Sequence, residues 1–265
     1  MVEILMFHRV LNSSIIDAKD AYFLRGTLIS TARLEQVIIA YLNKGYNFKT
    51  VSELTNDTNQ NQLVLTFDDG YFDNFEFAKP ILDKYNIKAT FYPIIGNCLE
   101  QKLAPLDYYY QYVNENVTDE HKMNWIIGDI KKEFIGLNIQ KQWEFIQNIY
   151  HDITLQKVSY MTIDNLKTLQ EEGHEIGGHS YYHDIYTNLS DELIEEDILK
   201  TKNTFFEQGI TIKTYAYTDG KYNSATINLL KREGFEAACA IKSQKLNVNT
   251  SFELERKFVT EHDII

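Results

Sequence analysis

An α/β architecture in one domain is predicted for this 265-residue chain from three observations. Short apolar runs of strand length alternate with stretches whose apolar residues recur at helical spacing. The connections are short, and the strand–helix–strand unit over 63–94 reads as a βαβ crossover, which implies parallel pairing. No internal repeat, low-complexity tract or linker interrupts the alternation, so one domain over 1–265 is expected, with a helical insertion at about 99–158.

The first strand covers 3–7, apolar and ending at His8 and Arg9; residues 11–30 read as irregular. Thr31 opens a helix with Leu34, Val37, Ile38 and Leu42 on one face, and Gly45 ends it. A strand over 46–51 and a polar loop over 56–62 lead to the central strand, Leu63-Val64-Leu65-Thr66-Phe67. This run is apolar and partly β-branched, as a strand buried on both faces should be. It runs into Asp68 and Asp69, and Gly70 then lets the backbone turn away. Helix 74–85 and strand 88–94 complete the βαβ unit.

From 99 to 158 the texture changes. Aromatic-rich segments around Leu106–Tyr110, Trp125 and Trp143 predict three helices with no strand between them. Their rings could stack on sugars, but core or lid packing is the stronger expectation. Thr162 caps a helix over 165–172, and Gly173 stops it. A strand over 174–176 opens onto Gly177-Gly178-His179-Ser180-Tyr181-Tyr182-His183. Ser190 starts an acidic helix over 191–207, with Leu193, Ile194, Ile198 and Phe205 facing inward. A strand over 213–217, a helix over 222–232, a strand over 235–241 and a short strand near Phe258 finish the alternation.

Composition narrows the function. At 44% hydrophobic and 24% charged residues the chain reads as an ordinary soluble globular protein. A net charge of −12, with no Lys/Arg-rich run, argues against nucleic acid as the partner. No apolar stretch approaches the length of a transmembrane segment. The N-terminus lacks the features of a signal peptide, so the cytoplasm is the expected location, and secretion would require a leader already removed. Cys98 and Cys239 match no metal or redox spacing and fit buried thiols in a reducing compartment.

Two stretches could carry chemistry. Asp68 and Asp69 at a strand end would titrate together unless a cation or hydrogen bonds separate their roles; the competing reading is a turn and helix cap. His179 and His183, four apart after a glycine pair, can point at one ion. The glutamate of an H-E-x-x-H protease helix is missing, since Ser180 and Tyr181 follow His179. A carboxylate from the DDG turn would complete a site of two histidines and one aspartate, of the open kind expected for catalytic metal.

These residues carry a resemblance. LVLTFDDGYFDNF resembles the first signature of the polysaccharide deacetylase (NodB-homology) family, carbohydrate esterase family four, and GHEIGGHSYYHDIYTNLS resembles the second. The opening ILMFHRV is similar to the branch with permuted motifs, in which an N-terminal histidine replaces a C-terminal one. Outside 99–158 the resemblance covers most of the chain. It implies a distorted (β/α)7-type barrel and an enzyme removing an N-acyl group, most often acetyl, from an amino sugar. Asp69, His179 and His183 would bind a divalent metal, usually zinc, with cobalt or nickel as alternatives. Asp68 would be the general base and His8 the acid that protonates the departing amine. The substrate would be an amino-sugar glycan, or a nucleotide- or lipid-linked sugar.

The third signature departs, reading Ala216-Tyr217-Thr218-Asp219-Gly220. The arginine that usually pairs with the base is absent, and Arg256 or Arg9 are the candidate substitutes. Tyr71, Tyr217 and Asp219 are expected at the substrate. His262 ranks behind His8 as the acid, His121 and His151 read as surface residues, and His174 as structural. Two rival readings stand: a C–N hydrolase of a small amide, ureide or formamide on the same scaffold, and a degenerate, non-catalytic glycan-binding protein.

Overall fold

The computed structural model describes residues 1–55, 60–150, 158–246 and 250–264. In chain order the strands are β1 (Val2–Phe7), β2 (Arg9–Leu11), β3 (Leu28–Ser30), β4 (Asn47–Lys49), β5 (Gln62–Asp69) and β6 (Thr90–Pro93). They continue with β7 (Glu175–Ile176), β8 (Thr214–Ala216), β9 (Ala237–Ala240), β10 (Leu254–Glu255) and β11 (Lys257–Phe258). One sheet runs β11–β1–β5–β6–β7 and another β8–β9–β10, with all of these pairs parallel. Two irregular joints link them into a ring. Gly178 bridges Tyr215 between β7 and β8. Arg256 alone separates β10 from β11, and its N–H donates to the Ala240 carbonyl at the end of β9. With β10 and β11 sharing one position, the ring has the seven-strand character of a distorted α/β barrel.

Strand periodicity sorts the core into two layers, because successive side chains point to opposite faces. Leu5, Phe7, Leu63, Leu65, Phe67 and Phe91 belong to the layer packed against the surrounding helices. Ile4, Val64, Tyr92, Ala216 and Cys239 form a separate cluster inside the ring. Phe7 lies opposite Phe67 in the parallel register. His8 and Asp68 therefore follow side by side, facing inward at the C-terminal mouth where barrel folds place their chemistry.

The helices obey the expected punctuation. The Ser30 side chain accepts from Arg33 N–H at the start of helix Thr31–Asn43. Thr162 and Asn165 cap each other's backbone at helix Ile163–Glu171. Several details differ from the sequence reading. Residues 11–30 are not wholly irregular: Ala21–Arg25 is helical and β2 pairs β3, a small third sheet too short to show alternation. Among its described residues the insertion holds four helices rather than three, Pro105–Asn116, Asp119–Ile127, Asp129–Ile135 and Ile139–Ile149, because Gly128 divides the second predicted segment. Leu193 faces solvent rather than the core. Residues 56–59 of the predicted polar loop, His151 and residues 151–157 of the insertion lie outside the described residues. Among the described residues no helix is long and apolar enough to cross a membrane.

Candidate metal centre and active-site cavity

Adjacent strand residues normally point to opposite faces, yet Asp68 and Asp69 line one cavity. The difference is made at Asp69, whose left-handed φ of +71° rotates its carboxylate to the mouth. Gly70 follows at φ +82°, and a Cβ there would meet the Pro93 Cβ at 2.6 Å, so only glycine fits the turn. Neither aspartate caps the following helix, whose N-cap position is Asp73.

The glycine pair before the histidines is explained by close approach. A Cβ on Gly177 would lie 2.3 Å from Tyr92 Cε1, and one on Gly178 would lie 2.5 Å from Tyr215 Cε2. The chain then turns rather than forming a helix, with Ser180 at φ +60° and His183 at φ +70°. Such conformations cost about 1–3 kcal/mol each and persist where the surroundings over-determine them. Here Asp197 supplies the restraint: its carboxylate accepts from Ser180 Oγ at 3.2 Å, Tyr181 N at 3.0 Å and Tyr186 Oη at 2.7 Å. Ser180 N–H donates to Tyr215 Oη at 2.8 Å.

The result is a convergence of three ligand atoms. His179 Nε2 and His183 Nε2 each lie 3.5 Å from Asp69 Oδ1. That is too long for good hydrogen bonds, and Asp69 Oδ1 is buried with no hydrogen-bond partner. His179 Nδ1 donates to the Ala216 carbonyl at 2.7 Å, which leaves Nε2 with its lone pair facing the cluster. Burial pushes the His183 imidazole down to about 4, the neutral form a ligand needs. Burial works to raise the Asp69 pKa, but the His179 and His183 imidazoles outweigh it and hold the carboxyl well below the usual range. One orphaned carboxylate oxygen and two oriented imidazoles, all within 4.8 Å, fit zinc, cobalt or nickel. A second acidic cluster, Asp83, Glu172 and His174, is already served by a cation, since Lys79 Nζ lies 2.7 Å from Asp83 and 2.6 Å from Glu172.

Asp68 is separated from its neighbour by a different partner. Arg256 Nη1 and Nη2 donate to its two oxygens at 2.6 and 2.8 Å, a buried bidentate pair, and Nη1 also reaches Thr66 Oγ1 at 3.2 Å. Burial alone would raise the Asp68 pKa; the Arg256 charge and then His179 reverse it, so the carboxyl sits below its ordinary value. Of the two arginines expected as candidates, Arg9 is not at Asp68. Its side chain turns outward from the ring, where Nε donates to Asp73 at 2.9 Å.

His8 lines the same cavity, with its ring edge-on to Phe258 and its Nδ1 buried without a partner. Burial lowers its pKa, opposed by the carboxylates of Asp69 and Asp68. Tyr71, Tyr217 and Asp219 also line the cavity, but their polar groups are committed. Tyr71 Oη donates to Asp107 at 2.8 Å, Tyr217 Oη to the Phe252 carbonyl at 3.0 Å, and the Asp219 carboxylate lies 2.9 Å from Lys221 Nζ. Both tyrosines have their hydroxyl protons engaged within the protein and offer the cavity mainly their rings. His121 is exposed, His174 accepts from Ala89 N–H, and His262 packs on Phe23; none of them lines the cavity.

The sequence reading missed three residues around this site. Asp107 accepts from Tyr22, Tyr71 and Tyr160 at 2.5, 2.8 and 2.5 Å, tying the insertion to the turn after Asp68 and Asp69. Asp197 sat in a helix whose acidic residues otherwise form a solvated face. Lys131 lies beside Lys132 in sequence, and only burial tells the two apart. The cavity holds about 330 Å³, roofed on one side by Leu106, Tyr110, Lys131 and Phe134 of the insertion.

Comparison with known proteins supports the fold and names the family. The Streptococcus pyogenes deacetylase PplD in complex with acetate superposes with a TM-score of 0.67 at 17% identity, over 98% of this chain and 92% of that one. IcaB from Ammonifex degensii gives 0.64 at 19% identity, over 98% and 91% of the two chains. A de-N-acetylase from Aggregatibacter actinomycetemcomitans gives 0.66 at 17% identity, over 100% and 97%. At these identities the likeness is one of fold. The Bacillus subtilis (strain 168) protein YxkH, named for polysaccharide deacetylation, is 25% identical over 150 residues, 51% of this chain and 52% of YxkH. The matched region thus spans about half the length of that curated relative. The profile of the family described as polysaccharide deacetylase matches residues 55–238, most of the chain, and the chain belongs to the polysaccharide deacetylase family.

Proposed function

We propose that this protein is a divalent-metal-dependent hydrolase that removes an N-acetyl group from an amino sugar in a glycan or glycan precursor. The observation that carries the reading is the joint placement of Asp69, His179 and His183 beside the Asp68–Arg256 pair and His8 in one cavity. Asp69, His179 and His183 would hold the metal, and zinc, cobalt or nickel suits the donor set. When bound, such an ion supplies Lewis acidity toward water and the acyl oxygen.

The protein groups divide the remaining work. Arg256 keeps Asp68 ionised and fixes both its oxygens, so the carboxylate is ready to take a proton from the attacking water. The water oxygen first bonds to the acyl carbon, and the C–N bond breaks in a second step. His8 delivers a proton to the departing nitrogen, and its lowered pKa makes the protonated ring a better donor. Acetate and a free amine leave. A non-catalytic glycan binder would have no use for this base–arginine pair beside a ligand triad. Tyr71 and Tyr217 would shape the sugar pocket by packing.

The test is a substrate panel with zinc-, cobalt- or nickel-loaded protein, measuring acetate, formate and ammonia. Acetate released in equal amount with free amine from an N-acetylated sugar is the expected result. Formate or ammonia released from small amides, with no acetate from any amino sugar, would establish the rival C–N hydrolase instead.

A further inference from the structure

The insertion contributes one side chain that packing does not explain. Lys131, on helix Asp129–Ile135, is 7% exposed, and its Nζ is buried with no hydrogen-bond partner. The rings of Tyr110, Tyr109 and Phe134 lie 4.5, 5.1 and 5.5 Å from that nitrogen. The other buried lysine among the insertion's described residues behaves differently: Lys122 Nζ donates to the Lys19 carbonyl at 3.0 Å and lies 3.8 Å from Asp119. A buried ammonium is normally paired, and aromatic faces return only part of what desolvation removes. A methionine would fill the same slot without that cost.

Lys131 lines the cavity that holds Asp68 and the ligand triad. The charges around it do not neutralise it. Arg25, also lining the cavity, repels it, while Asp219, Asp107 and Asp69 attract it without forming an ion pair. Burial, reinforced by Arg25, accordingly brings the ammonium down to about 7. In a chain of net charge −12, Lys131 and Arg25 line one cavity close enough to repel each other.

We infer that Lys131 is an anion-binding specificity residue, receiving a phosphate or carboxylate carried on or beside the acylated sugar, with Arg25 as the second cation. The inference rests on the cavity being a sugar site, and it narrows the substrate to a charged one. The incoming anion would supply the partner that Nζ lacks, so binding and charge recognition would be coupled.

Calorimetric titration of the zinc-loaded Asp68→Asn chain, which should not turn over, tests this directly. The probes are N-acetylglucosamine 1-phosphate, N-acetylmuramic acid and neutral N-acetylglucosamine. At least one anionic sugar should bind tenfold or more tighter than the neutral one, and which of them does so separates phosphate from carboxylate. Adding Lys131→Met should abolish that preference without changing affinity for the neutral sugar, whereas Lys131→Arg should keep it. Equal binding of charged and neutral sugars before Lys131 is altered would overturn the inference. So would a preference that survives Lys131→Met undiminished, which would assign it to Arg25 or the metal instead. Lys131→Met should melt no lower than its parent, since a structural lysine would not behave so. Acetate release by the wild-type chain is scored separately: its absence, with the charge preference intact, would sink the deacetylase reading and leave the anion site standing.

Discussion

Replacing Arg256 by methionine isolates the interaction on which the proposed base, Asp68, depends. The Arg256 and Asp68 side chains are 1% and 3% exposed, and two hydrogen bonds of 2.6 and 2.8 Å join them. Removing one partner of such a pair typically costs about 3–5 kcal/mol, because the other charge stays buried alone. Asp68 can escape part of that cost by taking a proton. In the wild type its pKa lies below the ordinary carboxylate value, so the group adds stability above that value, and the contribution is lost as pH falls through the folded pKa. Without the guanidinium, desolvation is opposed only by the His179 and His8 imidazoles, so the carboxyl should rise above its ordinary value. The variant should then lose stability as pH rises through the new, raised value. Urea unfolding with chelator present, from about pH 4 to pH 8, should show the gap between wild type and Arg256→Met widening with pH. In the metal-loaded enzyme, the acidic limb of the kcat profile should move up by roughly two units or more, a shift within the range buried carboxyls reach. Arg256→Lys should recover the charge but not the two-pronged geometry, and fall between them. An acidic limb that stays in place in folded Arg256→Met would refute the argument, since Asp68 could not then be both the base and dependent on this arginine.

The remaining predictions concern the base, the insertion and the histidine turn. Asp68→Asn should retain metal in elemental analysis while acetate release falls at least a hundredfold, the low end of what general-base catalysis contributes. Near-full activity would remove Asp68 from the base role. Asp107→Ala strands three buried tyrosine hydroxyls and the Ala104 N–H, and should cost roughly 3–5 kcal/mol in denaturant unfolding, at about 1–3 kcal/mol for each unmet group with partial relaxation. Burial raises the Asp197 carboxyl to about 6, so its folded pKa exceeds the unfolded one and stability should decline as pH rises from about 4 to 6. Asp197→Asn should flatten that part of the profile; an unchanged slope would show that Asp197 is not its source.

Much of the barrel was legible because parallel strands buried on both faces leave a strong local signature. Leu63 to Phe67 followed by two aspartates and a glycine needs no tertiary information to be read as a strand with a polar mouth. The same holds for Gly177 and Gly178 before the histidines, although the reason for the pair, close approach by the Tyr92 and Tyr215 rings, is a tertiary fact. The choice between Arg9 and Arg256 was not legible. Arg9 follows His8 directly, but strand alternation turns it outward to Asp73. Arg256 is 188 positions from Asp68 and reaches it only because the last strand position closes on the first. Lys131 and Asp197 were hidden for a related reason. Each sits in a run of like residues, where burial of one member depends on how a helix is rotated against its neighbours. Residues 11–30 were misread because a helix of five residues and a three-residue strand pair are too short to show a period.

The central claim is that Asp69, His179 and His183 hold one metal ion and that acetate release requires it. Metal content and acetate release measured on the same preparations, before chelation, after it, and after adding zinc, cobalt or nickel, address that claim most directly. The account predicts one ion per chain, the loss of ion and activity together, their joint recovery, and no ion bound by His179→Ala. Undiminished acetate release from metal-free protein would contradict it.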